Sequence, residues 1–201
     1  MYKSVFFSAC VLVSTSLSNL CNAEISLGKP LPPLAIDSRG ELILNNATIR
    51  YQHWDSKVFL TADLPRVHIV QYLAARMSAS KINEPFTDKI DESQFPKDKH
   101  LVTTIINIDD AMWGTGGFVI SELESNKKKH PHASMVADQH GLGAKAWSLS
   151  GQNSAVVILS PKGDVLFFKE GALSANELTH AIELIEQQIQ SLNSNLATHD
   201  A

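Results

Sequence analysis

Val67-His68-Ile69-Val70-Gln71-Tyr72-Leu73 and Leu101-Val102-Thr103-Thr104-Ile105-Ile106-Asn107-Ile108 are the two stretches that decide the architecture. Each is dense in apolar and β-branched residues. Neither shows the strict apolar–polar alternation of a strand with one wet face. Short continuous runs of this kind are the pattern of strands covered on both sides. Between them, a helix is expected from Pro85 to about Ser93. Asn83 or Glu84 stands near its cap, and Pro85 falls in the first turn, where a missing N–H costs nothing. A strand, a helix and a second strand make a crossover, so the two strands run parallel.

Downstream of the second strand, Asp109-Asp110 leads into a glycine-bearing loop, Trp113-Gly114-Thr115-Gly116-Gly117. A helix from Phe118 to about Lys129 comes next, stopped by Pro131. Its last turn, Lys127 to Lys129, suits a helix C-terminus and is expected to face water. Met135 to Ala137 reads as a short strand, with a turn at Asp138-Gln139-His140-Gly141. Ala155 to Leu159 is a strand, Ser160 to Asp164 a hairpin turn, and Val165 to Phe168 its partner. Ser174-Ala175-Asn176-Glu177 is a capping box. Leu178, Ala181, Ile182, Ile185, Ile189 and Leu192 then recur at helical spacing, and the polar tail from about 194 is expected to fray.

Upstream, Pro30, Pro32 and Pro33 give an extended lead-in. Asp37-Ser38-Arg39-Gly40 reads as a turn. Glu41 to Leu44 and Thr48 to His53 form a hairpin around Asn45-Asn46. The whole predicts a single α/β domain: a mixed central sheet, helices on both faces and an N-terminal β-hairpin extension. This is the wiring of a thioredoxin-like fold.

The chain of 201 residues has two cysteines, Cys10 and Cys21, and both fall in a segment that reads as an export signal. Lys3 gives a basic start and Val5 to Leu17 an apolar core. Cys21-Asn22-Ala23 puts small residues at the −3 and −1 positions of a cut before Glu24. The apolar run is shorter than the ~20 residues of a membrane span. Leu20 before Cys21 fits lipid attachment poorly. The expected domains are therefore a signal peptide at 1–23 and a thioredoxin-like domain at 24–201, in the periplasm, with no transmembrane segment after cleavage. Such a mature chain holds no cysteine, which excludes disulfides, thiolate catalysis and Cys-based zinc or iron–sulfur sites. The net charge of the full chain, −4, becomes one unit more negative when Lys3 leaves. An acidic chain without a concentrated basic patch argues against nucleic-acid binding.

Thr104-Ile105-Ile106-Asn107 with Asp109-Asp110-Ala111, Gly114-Thr115-Gly116, Phe118-Val119, Ser121 and Leu123 to Lys128 form one motif-bearing block. Ser154-Ala155-Val156-Val157 with Leu159, and Gly171-Ala172-Leu173-Ser174, form two more. Across these blocks the chain resembles the YtfJ family, small periplasmic proteins of Gram-negative bacteria. The resemblance implies a thioredoxin-like fold and an exported location, and no particular reaction. The transcriptional-regulator label carried by some members gains no support from an acidic, exported chain. Laid on the thioredoxin pattern, the two redox cysteines correspond to about Met77 and Ser80, and the cis-proline to about Ser154. A thioether and a hydroxyl cannot perform thiol–disulfide exchange, which needs an attacking thiolate.

In such a fold, ligands gather beyond the carboxyl ends of the parallel strands. One cleft is expected to collect Arg76, Ser78, Ser80, Asp109, Asp110 and Ser154, with Gly114 and Gly116 permitting close approach. Asp109 and Asp110 would alternatively cap a helix. His130, His132, Asp138 and His140 are weak candidates for a metal, because His-x-His alone does not make the three or four convergent ligands of a zinc site. Gly-Thr-Gly-Gly lacks the lysine and spacing of a P-loop. Trp113 and Trp147 read as packing residues. The expected protein is a binding or accessory protein for a periplasmic protein, peptide or small ligand, with no cofactor and no redox activity. The alternative is a metal- or carboxylate-dependent enzyme working around Arg76, Asp109 and Asp110.

Overall fold

The computed structural model describes residues 24–60 and 65–199. The expected signal peptide, with both cysteines, lies outside them. Seven strands form one mixed sheet in the order β2-β1-β5-β4-β3-β6-β7. The two deciding stretches are β3 (Val67–Ala74) and β4 (His100–Asn107), in parallel register over their whole lengths. β5 (Ser134–Asp138) runs parallel to β4, while β6 (Ser154–Leu159) and β7 (Val165–Glu170) are antiparallel. β1 (Ala35–Asn45) and β2 (Thr48–Asp55) add the hairpin extension, docked on β5 through Arg39 to Glu41.

Alternation along β3 divides the interior into two layers. Val67 and Ile69 pack with Phe86 and Ile90 of α2 (Glu84–Ser93) and with Ala181, Ile182, Ile185 and Ile189 of α5 (Ala175–His199). Val70 and Tyr72 point the other way, onto Trp147, Phe59, Leu34 and Ile25. Those residues come from the end of α4 (Leu142–Ala146), a 3-10 turn at Ser56–Phe59 and the Pro-rich lead-in. Val102 belongs to the α2/α5 layer. Ile106, further along the same face of β4, packs with Ile120 and Leu123 of α3 (Gly116–Lys129). Every residue of β6 is buried, which is why its sequence shows no polar face. Each fully buried Ile or Leu of this kind contributes about 1.5–3 kcal/mol relative to exposure.

Local signals explain most element ends. The β1–β2 loop has positive φ at both Asn46 and Ala47, the mirror-image turn that matches the twist of a hairpin. The capping box at α5 is reciprocal: Ser174 N donates to Glu177 Oε2 at 2.8 Å, and Glu177 N donates back to Ser174 Oγ at 3.3 Å. Two expectations are corrected. Asp37–Gly40 is not a turn between elements but an irregularity within β1, where the pairing register with β2 shifts between Ile36 and Glu41. Arg39 and Gly40 take φ values of 66° and 72° there, and a Cβ on Gly40 would collide with the Gln52 carbonyl. A bulge and a turn use the same residue chemistry, so sequence alone confuses them. Lys127 does not face water either. It is 5% exposed, and its ammonium donates to the Ala133 carbonyl at 2.6 Å, closing the loop from α3 to β5.

Candidate functional site

β4 ends at Asn107, whose side chain organises the turn beyond the strand. Its Oδ1 accepts from Asp109 N at 3.1 Å, and its Nδ2 donates to Asp110 Oδ2 at 3.1 Å. The Gln152 N–H reaches the same Asp110 oxygen at 3.0 Å. The two carboxylates thus stand on a single 3-10 turn, Ile108–Asp110, at the carboxyl end of a parallel strand. With Asn107, Gly141, Ala144, Lys145, Ser148, Leu149 and Gly151 they line an open pocket of about 400 Å³. The Lys145 ammonium is directed to the His140 carbonyl at 2.7 Å.

A buried clamp lies beneath. Asp138, fully buried at the end of β5, accepts from Leu142 N (2.9 Å), Gly143 N (2.8 Å) and His140 N (3.3 Å). It also receives the hydroxyl of Tyr72 at 2.9 Å, and that hydroxyl accepts from Ala144 N at 2.9 Å. Burial, and then the adjacent Asp138 carboxylate, push the Tyr72 phenol far above its ordinary pKa. A phenol so placed stays protonated and acts as a donor. Gly143 lies so close to the Tyr72 ring that any Cβ would overlap it.

The expected single cleft is divided. Asp109 and Asp110 line the pocket, whereas Arg76, Ser78, Ser80, Gly114, Gly116 and Ser154 are not among its walls. Ser154 is 1% exposed, and its hydroxyl accepts from Asn83 Nδ2 at 2.9 Å. Asn83 also donates to the Gly171 carbonyl and accepts from Leu173 N. It therefore sews α1 (Met77–Ile82) and α2 to β6 and the β7–α5 connection. Arg76 precedes α1, and its Nε is buried without a partner. Met77 and Ser80 are exposed on α1, the serine donating to the Met77 carbonyl at 2.9 Å. The histidine group is also split: His130 and His132 precede β5, while Asp138 ends it and His140 comes after. Asp138 has its oxygens filled by protein donors. Among the described residues no group of three His, Cys, Asp or Glu could hold a metal.

Trp147 is core, its indole N–H donating to the Pro32 carbonyl at 2.9 Å. Trp113 is the reverse of the packing residue expected: at 101% relative exposure it stands free of the protein, between exposed Met112 and, in the first turn of α3, exposed Phe118. Sequence reading missed Asn107, Lys145, Ser148 and the Tyr72–Asp138 clamp. Only Asn107, a short polar residue ending an apolar strand, left a local sign.

Comparison with known proteins gives the same architecture. The thioredoxin domain of a thiol-disulfide oxidoreductase from Bacteroides vulgatus superposes with a TM-score of 0.51, at 13% identity, over 80% of this chain and 97% of that one. At that identity the likeness concerns the fold. The uncharacterized protein YtfJ of Escherichia coli K12 is 35% identical over 167 residues, 83% of this chain and 89% of its own. An uncharacterized protein of Haemophilus influenzae is 33% identical over 186 residues, 92% and 97% respectively. The family model described as a bacterial protein of unknown function (YtfJ_HI0045) matches residues 25–188, and the chain belongs to that family.

Proposed function

We propose that this is an exported protein that uses a thioredoxin-like frame for binding rather than for thiol chemistry. The observation that carries the reading is the start of α1. Met77 and Ser80 stand, exposed, where the resemblance puts the redox pair. Neither side chain supplies a thiolate. The chain's two cysteines both lie in the segment read as a leader. Fold alone assigns no activity, so the function is carried by the site. The pocket is lined by one carboxylate held in place, Asp110, a second that is free among the described residues, Asp109, and by Lys145 and Ser148, a set suited to holding a polar group of a ligand or partner. The leader pattern supports residence in the periplasm. No described helix is long and apolar enough to cross a membrane.

Two measurements test the reading. The purified chain beginning at Glu24 is expected to give no insulin reduction above the dithiothreitol background. Fractionation is expected to recover a processed form in the periplasmic extract. Insulin turnover, or an unprocessed cytoplasmic protein, would overturn it.

A further inference from the structure

Resting on the binding reading above, we infer that the pocket and the Met112–Trp113 loop together receive a basic segment of a partner protein. An arginine or lysine would enter between the carboxylates of Asp109 and Asp110, and its apolar neighbours would lie on Trp113. Among the described residues neither carboxylate is in an ion pair. Asp110 is held by two neutral donors, Asn107 Nδ2 and the Gln152 amide. Among the described contacts the Asp109 carboxylate has neither a hydrogen bond nor an ion pair, while its backbone N–H is fixed by Asn107. Lys145 shares the pocket but forms an ion pair with neither, its ammonium being turned to the His140 carbonyl.

The apolar half is independent of the charges. Trp54 and Trp147 are buried, whereas Trp113 is fully exposed, with exposed Met112 next to it and exposed Phe118 five residues further on. Contiguous exposed apolar groups mark interaction sites. A tryptophan face also attracts a guanidinium or ammonium, even when exposed. The two halves are joined by the same short loop, three residues separating Asp109 from Trp113. An acidic segment would meet like charge here. A bare metal ion would lack a third carboxylate or imidazole. The acidic chain as a whole, at −4, favours the approach of cations.

The test uses two pools of nine-residue peptides with blocked ends, identical except for arginine or glutamate fixed at the centre. Binding to the chain beginning at Glu24 is read by calorimetry and by tryptophan fluorescence. The arginine pool is expected to bind at least tenfold tighter at low ionic strength, with the gap narrowing as salt rises. Asp109→Asn and Trp113→Ala are each expected to weaken the arginine pool at least fivefold with no change in melting temperature, because both side chains are exposed. Equal affinity for the two pools, no binding of either, or parent-like binding by both variants overturns the inference. Self-association abolished by Trp113→Ala also overturns it, by making the patch an interface between copies. Insulin turnover by the same preparation is a separate readout, and would remove the underlying binding reading instead.

Discussion

The Tyr72 hydroxyl donates to Asp138 Oδ2 at 2.9 Å, joining β3 to the end of β5 across the intervening β4. The same carboxylate fixes the turn before α4 through His140 N and the start of α4 through Leu142 N and Gly143 N. Asp138→Asn keeps the shape but sets an amide N–H against donors. It is expected to cost about 3 kcal/mol, as for a hydrogen-bonded buried charge. At ~2–4 °C per kcal/mol for a domain of this size, melting should fall by roughly 6–12 °C. A change under about 2 °C would mean that the clamp contributes little.

Gly143 tests the same clamp sterically. A methyl group there meets the Tyr72 ring, so Gly143→Ala should cost about 1–3 kcal/mol by overpacking. Gly117→Ala, where a Cβ meets nothing, is the control and should be neutral or slightly stabilising. Denaturant midpoints measure both.

His68 makes the fold acid-sensitive. The ring is 1% exposed and lies against Phe59 at 5.0 Å between centroids; its nitrogens make no well-formed hydrogen bond, only the Phe59 backbone being near enough to favour the proton weakly. Burial, with Arg66 nearby, lowers its pKa to about 4. Unfolded, a histidine titrates near ~6.5, so between those values the unfolded chain binds the proton that the folded chain refuses. Stability from this group is therefore complete above about 6.5 and falls as the pH drops towards 4, by about 3 kcal/mol in total. His68→Leu should flatten that part of the curve, measured by urea unfolding at pH 7 and pH 4.5. An unchanged slope would show that the ring is not the titrating group.

The cap of α5 gives a local check. Ser174→Ala removes an N-cap oxygen and should cost about 1 kcal/mol. Glu177, held at about 2 first by the Lys169 ammonium and then by the Ser174 donors, is stabilising while ionised. Its contribution is present above the ordinary carboxylate range and is lost as the pH falls towards 2. In Ser174→Ala that acid-dependent loss should shrink, which thermal melts at pH 5 and pH 2.5 would detect.

Met77→Cys with Ser80→Cys tests what α1 withholds. The double variant should acquire two titratable thiols, form a reversible disulfide, and reduce insulin where the parent does not. Two thiols that stay unpaired under mild oxidation would show that the backbone there has departed from redox geometry.

The fold was legible where one physical requirement dominated. β3 and β6 are buried on both faces, and burial wrote their apolar runs, whereas β4 is buried on one face and only partly covered on the other. The cap at Ser174 and the turn after Asn45 were legible because their chemistry is local. The site was less so. Asp138 and Tyr72 meet across 66 residues, and nothing near either predicts the other. Ser154 looked like a cleft residue until Asn83, 71 residues away, claimed its hydroxyl. Lys127 resembled its solvated neighbours, since a single helical turn contains both a wet and a dry direction.

The lead-in that precedes β1 has a kinetic consequence. Gly28 N bonds to the Val165 carbonyl, Val165 N bonds to the Lys29 carbonyl, and Leu31 N bonds to the Gly163 carbonyl. Gly28 to Leu31 are thus tied to the start of β7, the last strand in sequence. That segment cannot dock until residue 165 has been synthesised or delivered, and closing so long a loop is among the slow steps of folding. The lead-in is therefore among the last described segments to settle, although it precedes every strand in sequence.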